Sequence, residues 1–60
     1  SQVFEAMKKL PKEKRELVEM KYLDGFSYKE IADMTGKNEN AARVMTFRAL
    51  KELQTHLSPL

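Results

Sequence analysis

Residues Ser27 to Arg43 read SYKEIADMTGKNENAAR, and this stretch decides the fold. Ser27-Tyr28-Lys29-Glu30 places serine at a helix N-cap and glutamate three residues later. In such a capping box each side chain satisfies a backbone N–H that the helix leaves unpaired. Ile31, Ala32 and Met34 predict the inner face of a short helix starting at this box. Gly36 lets the chain turn sharply because it has no Cβ to clash. Asn38 suits the N-cap of a longer helix that opens polar and becomes basic. Short helix, glycine turn and longer helix make a helix-turn-helix, which places one helix in a DNA groove.

N-terminal to this stretch, Val3, Met7 and Leu10 have helical spacing, so Gln2–Leu10 reads as a first helix. Pro11 cannot continue that ladder but suits the first position of a new helix. Leu17, Val18, Met20, Tyr22 and Leu23 predict the apolar face of this second helix. Lys12, Lys14, Glu16, Glu19 and Lys21 keep its other face wet. Arg15 is expected to pair with an acidic neighbour and brace the helices. Asp24-Gly25 ends the helix, and Phe26 is placed to pack onto Ile31 as a hydrophobic staple.

The last helix is expected from Asn38 to Leu57. At 100° per residue, Ala42, Ala49, Leu53 and Leu57 share one stripe, with Leu50 beside them. Thr46 falls on the same stripe, and its hydroxyl is expected to bond back to a carbonyl of the preceding turn. Ala42 and Ala49 are small, so another helix can approach closely. Asn40, Val44, Phe47 and Lys51 lie on the far side, with Arg43 and Arg48 on the flanks. Ser58-Pro59 ends the element. The expected architecture is all-α, a compact four-helix domain containing a helix-turn-helix, with residues 1–60 forming a single domain.

Sixty residues support one core near the lower limit for independent folding. So small a body encloses no deep pocket, which argues against an enzyme or a small-molecule substrate. Cysteine is absent, excluding disulfide staples and thiolate metal sites. His56 has no second histidine with which to hold zinc, so it belongs to the helix C-terminus or solvent. Glu13, Glu16, Glu19 and Asp33 read as a solvated surface, and no nucleophile elbow or phosphate-binding glycine loop is present. No cofactor is expected. Nothing resembles a signal peptide or membrane span, so a cytoplasmic chain with no membrane partner is the expectation.

The net charge of +2 is modest, but its placement matters. Residues 1–36 hold seven basic and seven acidic side chains. Residues 37–60 hold Lys37, Arg43, Arg48 and Lys51 against Glu39 and Glu52, so the whole excess lies in the last helix and its approach. That suits a weak phosphate footprint.

Leu10-Pro11, Arg15, Leu17, Met20, Tyr22, Gly25, Ser27-Tyr28, Glu30-Ile31-Ala32, Gly36, Arg43, Arg48-Ala49 and Leu53 together carry a resemblance. In this set the chain resembles the C-terminal DNA-binding domain, region 4, of extracytoplasmic-function RNA polymerase sigma factors. The likeness spans roughly residues 3 to 57. Glu-Ile-Ala before a turn is shared with many helix-turn-helix regulators, whereas the full set is far more specific.

The resemblance implies a four-helix domain that recognises the −35 element of promoter DNA and docks on the flap of the RNA polymerase β subunit. It also implies restraint by an anti-sigma protein, and a longer parent sigma factor of which this chain is a fragment. Three positions depart from the family pattern. Thr35 and Thr46 stand where leucine is usual, which weakens the core and calls for compensation by Met34, Met45 or Phe47. Met45 stands where a basic residue is common, which reduces attraction to the DNA backbone or alters promoter choice.

Asn38, Glu39 and Asn40 open the recognition helix. Asparagine pairs with adenine and glutamate accepts from cytosine N4; for Asn38 capping is the favoured reading, while for Glu39 and Asn40 base contact and complementarity to the helix dipole stand even. Arg43, one turn inside, is in reach of a guanine edge or a phosphate. Arg48 and Lys51 lie further along, where phosphate contact and a solvated flank are the alternatives. Val44 and Phe47 are either thymine-methyl contacts, a surface covered by a protein partner, or, for Phe47, core. Ser27, Tyr28 and Lys29 sit where a helix N-terminus braces against phosphate without reading sequence. Ser27 also reads simply as a cap, and Glu30 as the far member of its box.

Three functions are compatible with these residues. Promoter recognition is favoured by the Leu10-Pro11 and Arg48-Ala49 steps. Another helix-turn-helix regulator, such as a response-regulator output domain, shares the Glu-Ile-Ala block and the glycine. A protein-interaction module binding polymerase or an anti-sigma protein accommodates exposed Val44 and Phe47.

Overall fold

The computed structural model describes residues 1–57. It contains helices α1 (Gln2–Lys8), α2 (Lys12–Val18), α3 (Tyr28–Thr35) and α4 (Glu39–Thr55). No strand occurs among the described residues. The expected Ser58-Pro59 stop lies outside them.

Helix α4 is the spine, and two apolar clusters form along it. Towards its C-terminal end, Ala49 and Leu53 pack with Ala6, Met7 and Leu10 of the α1 segment and with Val18 of α2. Leu50 and Leu57 cover the edge of this cluster. Towards the N-terminal end of α4, Ala42 packs with Leu17, Ile31 and Ala32. Neighbouring residues Leu17 and Val18 thus enter different clusters and tie α2 to both halves of α4. Ala42 and Ala49 are fully buried, as close helix approach at small residues requires. Truncating Ile31, also fully buried, is worth about 2–5 kcal/mol.

Several local expectations hold. Ser27 Oγ accepts from the Glu30 N–H at 3.1 Å, and the Glu30 carboxylate accepts from the Ser27 N–H at 2.8 Å. Phe26 packs against the Ile31 cluster, completing the staple. Gly36 is left-handed, with φ +72°. The Asn38 side chain accepts from the Ala41 N–H at 2.7 Å and caps α4.

Other expectations fail for physical reasons. Pro11 is the N-cap of α2 rather than its first residue, with extended ψ of 149°. After Val18 the helix widens into a π-helical segment, Glu19–Leu23, closed by an Asp24 N–H to Glu19 carbonyl bond of 2.8 Å. Widening adds a residue to the turn and rotates the side chains beyond it. Tyr22 and Leu23 therefore leave the apolar face, and both are exposed. Val3 and Met34 are exposed as well, so Met34 does not compensate the threonines.

Arg15 has no ion pair among the described residues; the cross-braces are Lys14 to Glu52 and Lys37 to Glu13. Thr46 is fully buried, yet its hydroxyl has no hydrogen-bond partner and makes no back-bond. Thr35 makes one instead, donating to the Ile31 carbonyl at 2.7 Å. Of the three proposed compensators, only Met45 packs against the core.

Candidate nucleic-acid interface

The helix-turn-helix is α3, the turn at Gly36 and α4. The Gly36 and Lys37 N–H groups both return to the Ala32 carbonyl, which closes α3 and reverses the chain. Lys37 is also tied to Glu13 of α2 at 3.3 Å, so the turn is anchored to the body of the domain. Asn38 begins α4 at a fixed position, and the helix leaves with its first turns in solvent.

Glu39, Asn40, Arg43, Val44, Phe47, Arg48 and Lys51 are all exposed. Burial of Ala42, Thr46, Ala49 and Leu53 on the opposite stripe forces that outcome. Phe47 is 54% exposed and so is not core, contrary to one alternative for it and to its suggested compensating role. Asn38 is exposed too, but its side-chain oxygen is committed to the cap.

The fold brings some candidates together. Arg43 Nη2 lies 3.1 Å from Glu39 Oε2, and its guanidinium is 5.2 Å from the centre of the Tyr28 ring. Lys51 Nζ is 5.3 Å from the Phe47 ring. Lys29 pairs with Asp33 at 3.5 Å. These pairs are largely solvated, so each is weak and leaves its cation available to phosphate. Ser27 and Lys29 are exposed at the N-terminus of α3, with Tyr28 half-buried between them. Arg48 stands apart, lining a shallow notch with Lys14 and Met45 on the other flank of α4.

The electrostatics at α3 are local. Hydrogen bonding from the Ser27 backbone and then its hydroxyl holds the Glu30 carboxyl below the ordinary glutamate range. Partial burial, then the neighbouring Tyr28 phenol, pushes the Tyr22 phenol above its ordinary value. His56 is the C-cap of α4. No group of three potential metal ligands occurs among the described residues.

Two features were invisible to sequence reasoning. Lys21 Nζ, in the π-helical segment, sits 4.2 Å from the Tyr28 ring centre. An open apolar groove of about 150 Å³ is lined by Val3, Phe4, Tyr22, Leu23, Leu50 and Leu53 among others. Its sequence signal is a surplus of apolar residues, of which helical spacing assigns Val3, Tyr22 and Leu23 inward.

No helix among the described residues is long and apolar enough to cross a membrane. The family model described as Sigma-70, region 4 matches residues 1–53. No curated protein and no solved structure matches the chain.

Proposed function

Because the chain belongs to the sigma-70 region 4 family, we propose that it binds the promoter −35 element during transcription initiation. Domains of this family are non-catalytic DNA-binding modules of transcription. Asn40, Arg43, Val44 and Phe47 enter the major groove, with Glu39 at its edge. Arg43 reads a base edge, Val44 and Phe47 meet thymine methyls, and Ser27, Lys29, Arg48 and Lys51 meet the backbone. Asn38 contributes as the cap that sets the start of α4. The observation that carries this reading is the outward-facing first half of α4, fixed by the Gly36 turn and the Asn38 cap.

Docking on the RNA polymerase β flap is the companion contact, and the apolar groove suits it. Its α4 residues, Leu50 and Leu53, lie C-terminal to the major-groove candidates Asn40, Arg43, Val44 and Phe47. A cytoplasmic setting agrees with this role. The same groove favours a second reading, in which the domain chiefly binds protein, either polymerase or an anti-sigma factor.

The test is a promoter footprint of the chain with core polymerase, comparing wild type with substitutions at the exposed Glu39, Asn40 and Arg43. Loss of −35 protection with polymerase association retained supports DNA reading. Unchanged protection transfers the function to the second reading.

A further inference from the structure

The Tyr28 ring is the meeting point of two cations from different elements. Lys21 Nζ is 4.2 Å from its centre and the Arg43 guanidinium 5.2 Å, both within the range where a ring's negative face attracts a cation. Two like charges gathered at one ring repel each other, and the ring face, with Glu39 beside Arg43, offsets that repulsion. The ring itself is held: Tyr28 packs against the cluster of Leu17, Ile31, Ala32 and Ala42. Arg43, by contrast, is a long side chain on an exposed surface, and its only ion pair among the described residues is with Glu39 on its own helix.

We propose that Tyr28 is a positioning residue for Arg43, its anchored ring holding the guanidinium in the orientation that reads a base. The proposal rests on the assignment of Arg43 as a base contact and adds what aims it. Aromatic–cation contact uses the ring and not the hydroxyl, whereas a phosphate contact by Tyr28 would use the hydroxyl. Substitutions separate the two.

The sixty-residue chain is allowed to select a duplex from a randomised pool, and affinity is measured for that duplex and its single-base variants. Arg43→Ala identifies the step that Arg43 reads, flattening preference there by roughly 5- to 150-fold. At that same step Tyr28→Leu reduces preference roughly two- to fivefold, and Tyr28→Phe keeps it. In an Arg43→Ala background, Tyr28→Leu has no further effect on preference. The Arg43 δ-protons carry a ring-current shift in wild type and Tyr28→Phe that Tyr28→Leu abolishes. If Tyr28→Leu does not fold, Tyr28→Met takes its place, and the ring-current shift tests the contact in wild type and Tyr28→Phe.

Additive effects of Tyr28→Leu and Arg43→Ala overturn the proposal, as does a uniform affinity loss in Tyr28→Phe with preference intact in Tyr28→Leu. An Arg43→Ala variant with unchanged preference at every step removes the base-contact assignment itself, a separate failure. Failure to select any sequence removes it as well.

Discussion

Arg43 Nη2 lies 3.1 Å from Glu39 Oε2, one turn earlier on the recognition helix. Both side chains are about half exposed, so their attraction is worth only about 0.3–0.5 kcal/mol to stability. Its consequence is for binding. Arg43→Ala should leave the fold intact and cost roughly 1–3 kcal/mol against the preferred duplex, with preference relaxed at one base step. Titration against single-base variants measures this, and unchanged affinity removes Arg43 from the interface.

Lys51 should behave differently. It lies further along α4, its ammonium over the Phe47 ring. Lys51→Ala is expected to weaken all duplexes alike and to reduce the slope of log affinity against log salt by about one. A base-dependent effect would contradict a phosphate role.

Thr46 offers a stability test. Its buried hydroxyl has no partner, and a buried polar group left unpaired costs about 1–3 kcal/mol. Thr46→Val keeps the side-chain shape and removes the hydroxyl, so it should stabilise the domain by about 1 kcal/mol. For a domain this small that raises the melting temperature by roughly 4–8 °C. A lower melting temperature would show that the hydroxyl contributes favourably.

At Gly36 the cost of a side chain lies in the backbone. A Cβ there meets nothing within 4 Å, but φ is +72°. Gly36→Ala should destabilise by roughly 1–2 kcal/mol, and Gly36→Asn by less, because asparagine tolerates the left-handed region. Thermal melts should rank glycine, asparagine, alanine in falling stability; equal costs would point away from backbone strain.

Glu30 gives a pH signature. Its folded pKa is depressed, so the capping box contributes stability above the unfolded glutamate value and loses it as pH falls through the folded one. A carboxyl NMR titration should find Glu30 below the ordinary glutamate value. Ser27→Ala should raise it only part of the way, because the backbone N–H at position 27 still donates to the carboxylate, while costing about 1 kcal/mol in helix capping. An ordinary Glu30 midpoint in the wild type would mean the box is open in solution.

The capping box, the Phe26 staple, the Gly36 turn, the Asn38 cap and the buried stripe of α4 were all legible in the chain. Each depends on residues within about one or two helical turns, where spacing alone sets what can touch. The outward candidates on α4 came directly from its buried stripe. The Tyr28 ring beside Arg43 did not, because the two lie on different helices and meet only when α3 packs across α4.

The same limit explains the core errors. Hydrophobicity marks Val3, Tyr22, Leu23 and Met34 as apolar but does not say which apolar residues find a neighbour. Tyr22 and Leu23 lie in the π-helical segment and stay exposed beside Val18, so an open groove forms where a filled core was expected. Local chemistry thus specified the existence of the helices, the caps at Ser27 and Asn38 and the turn at Gly36. Which faces are covered, and which cations share an aromatic ring, depended on packing between distant segments, since burial belongs to the assembled helices and not to any one of them.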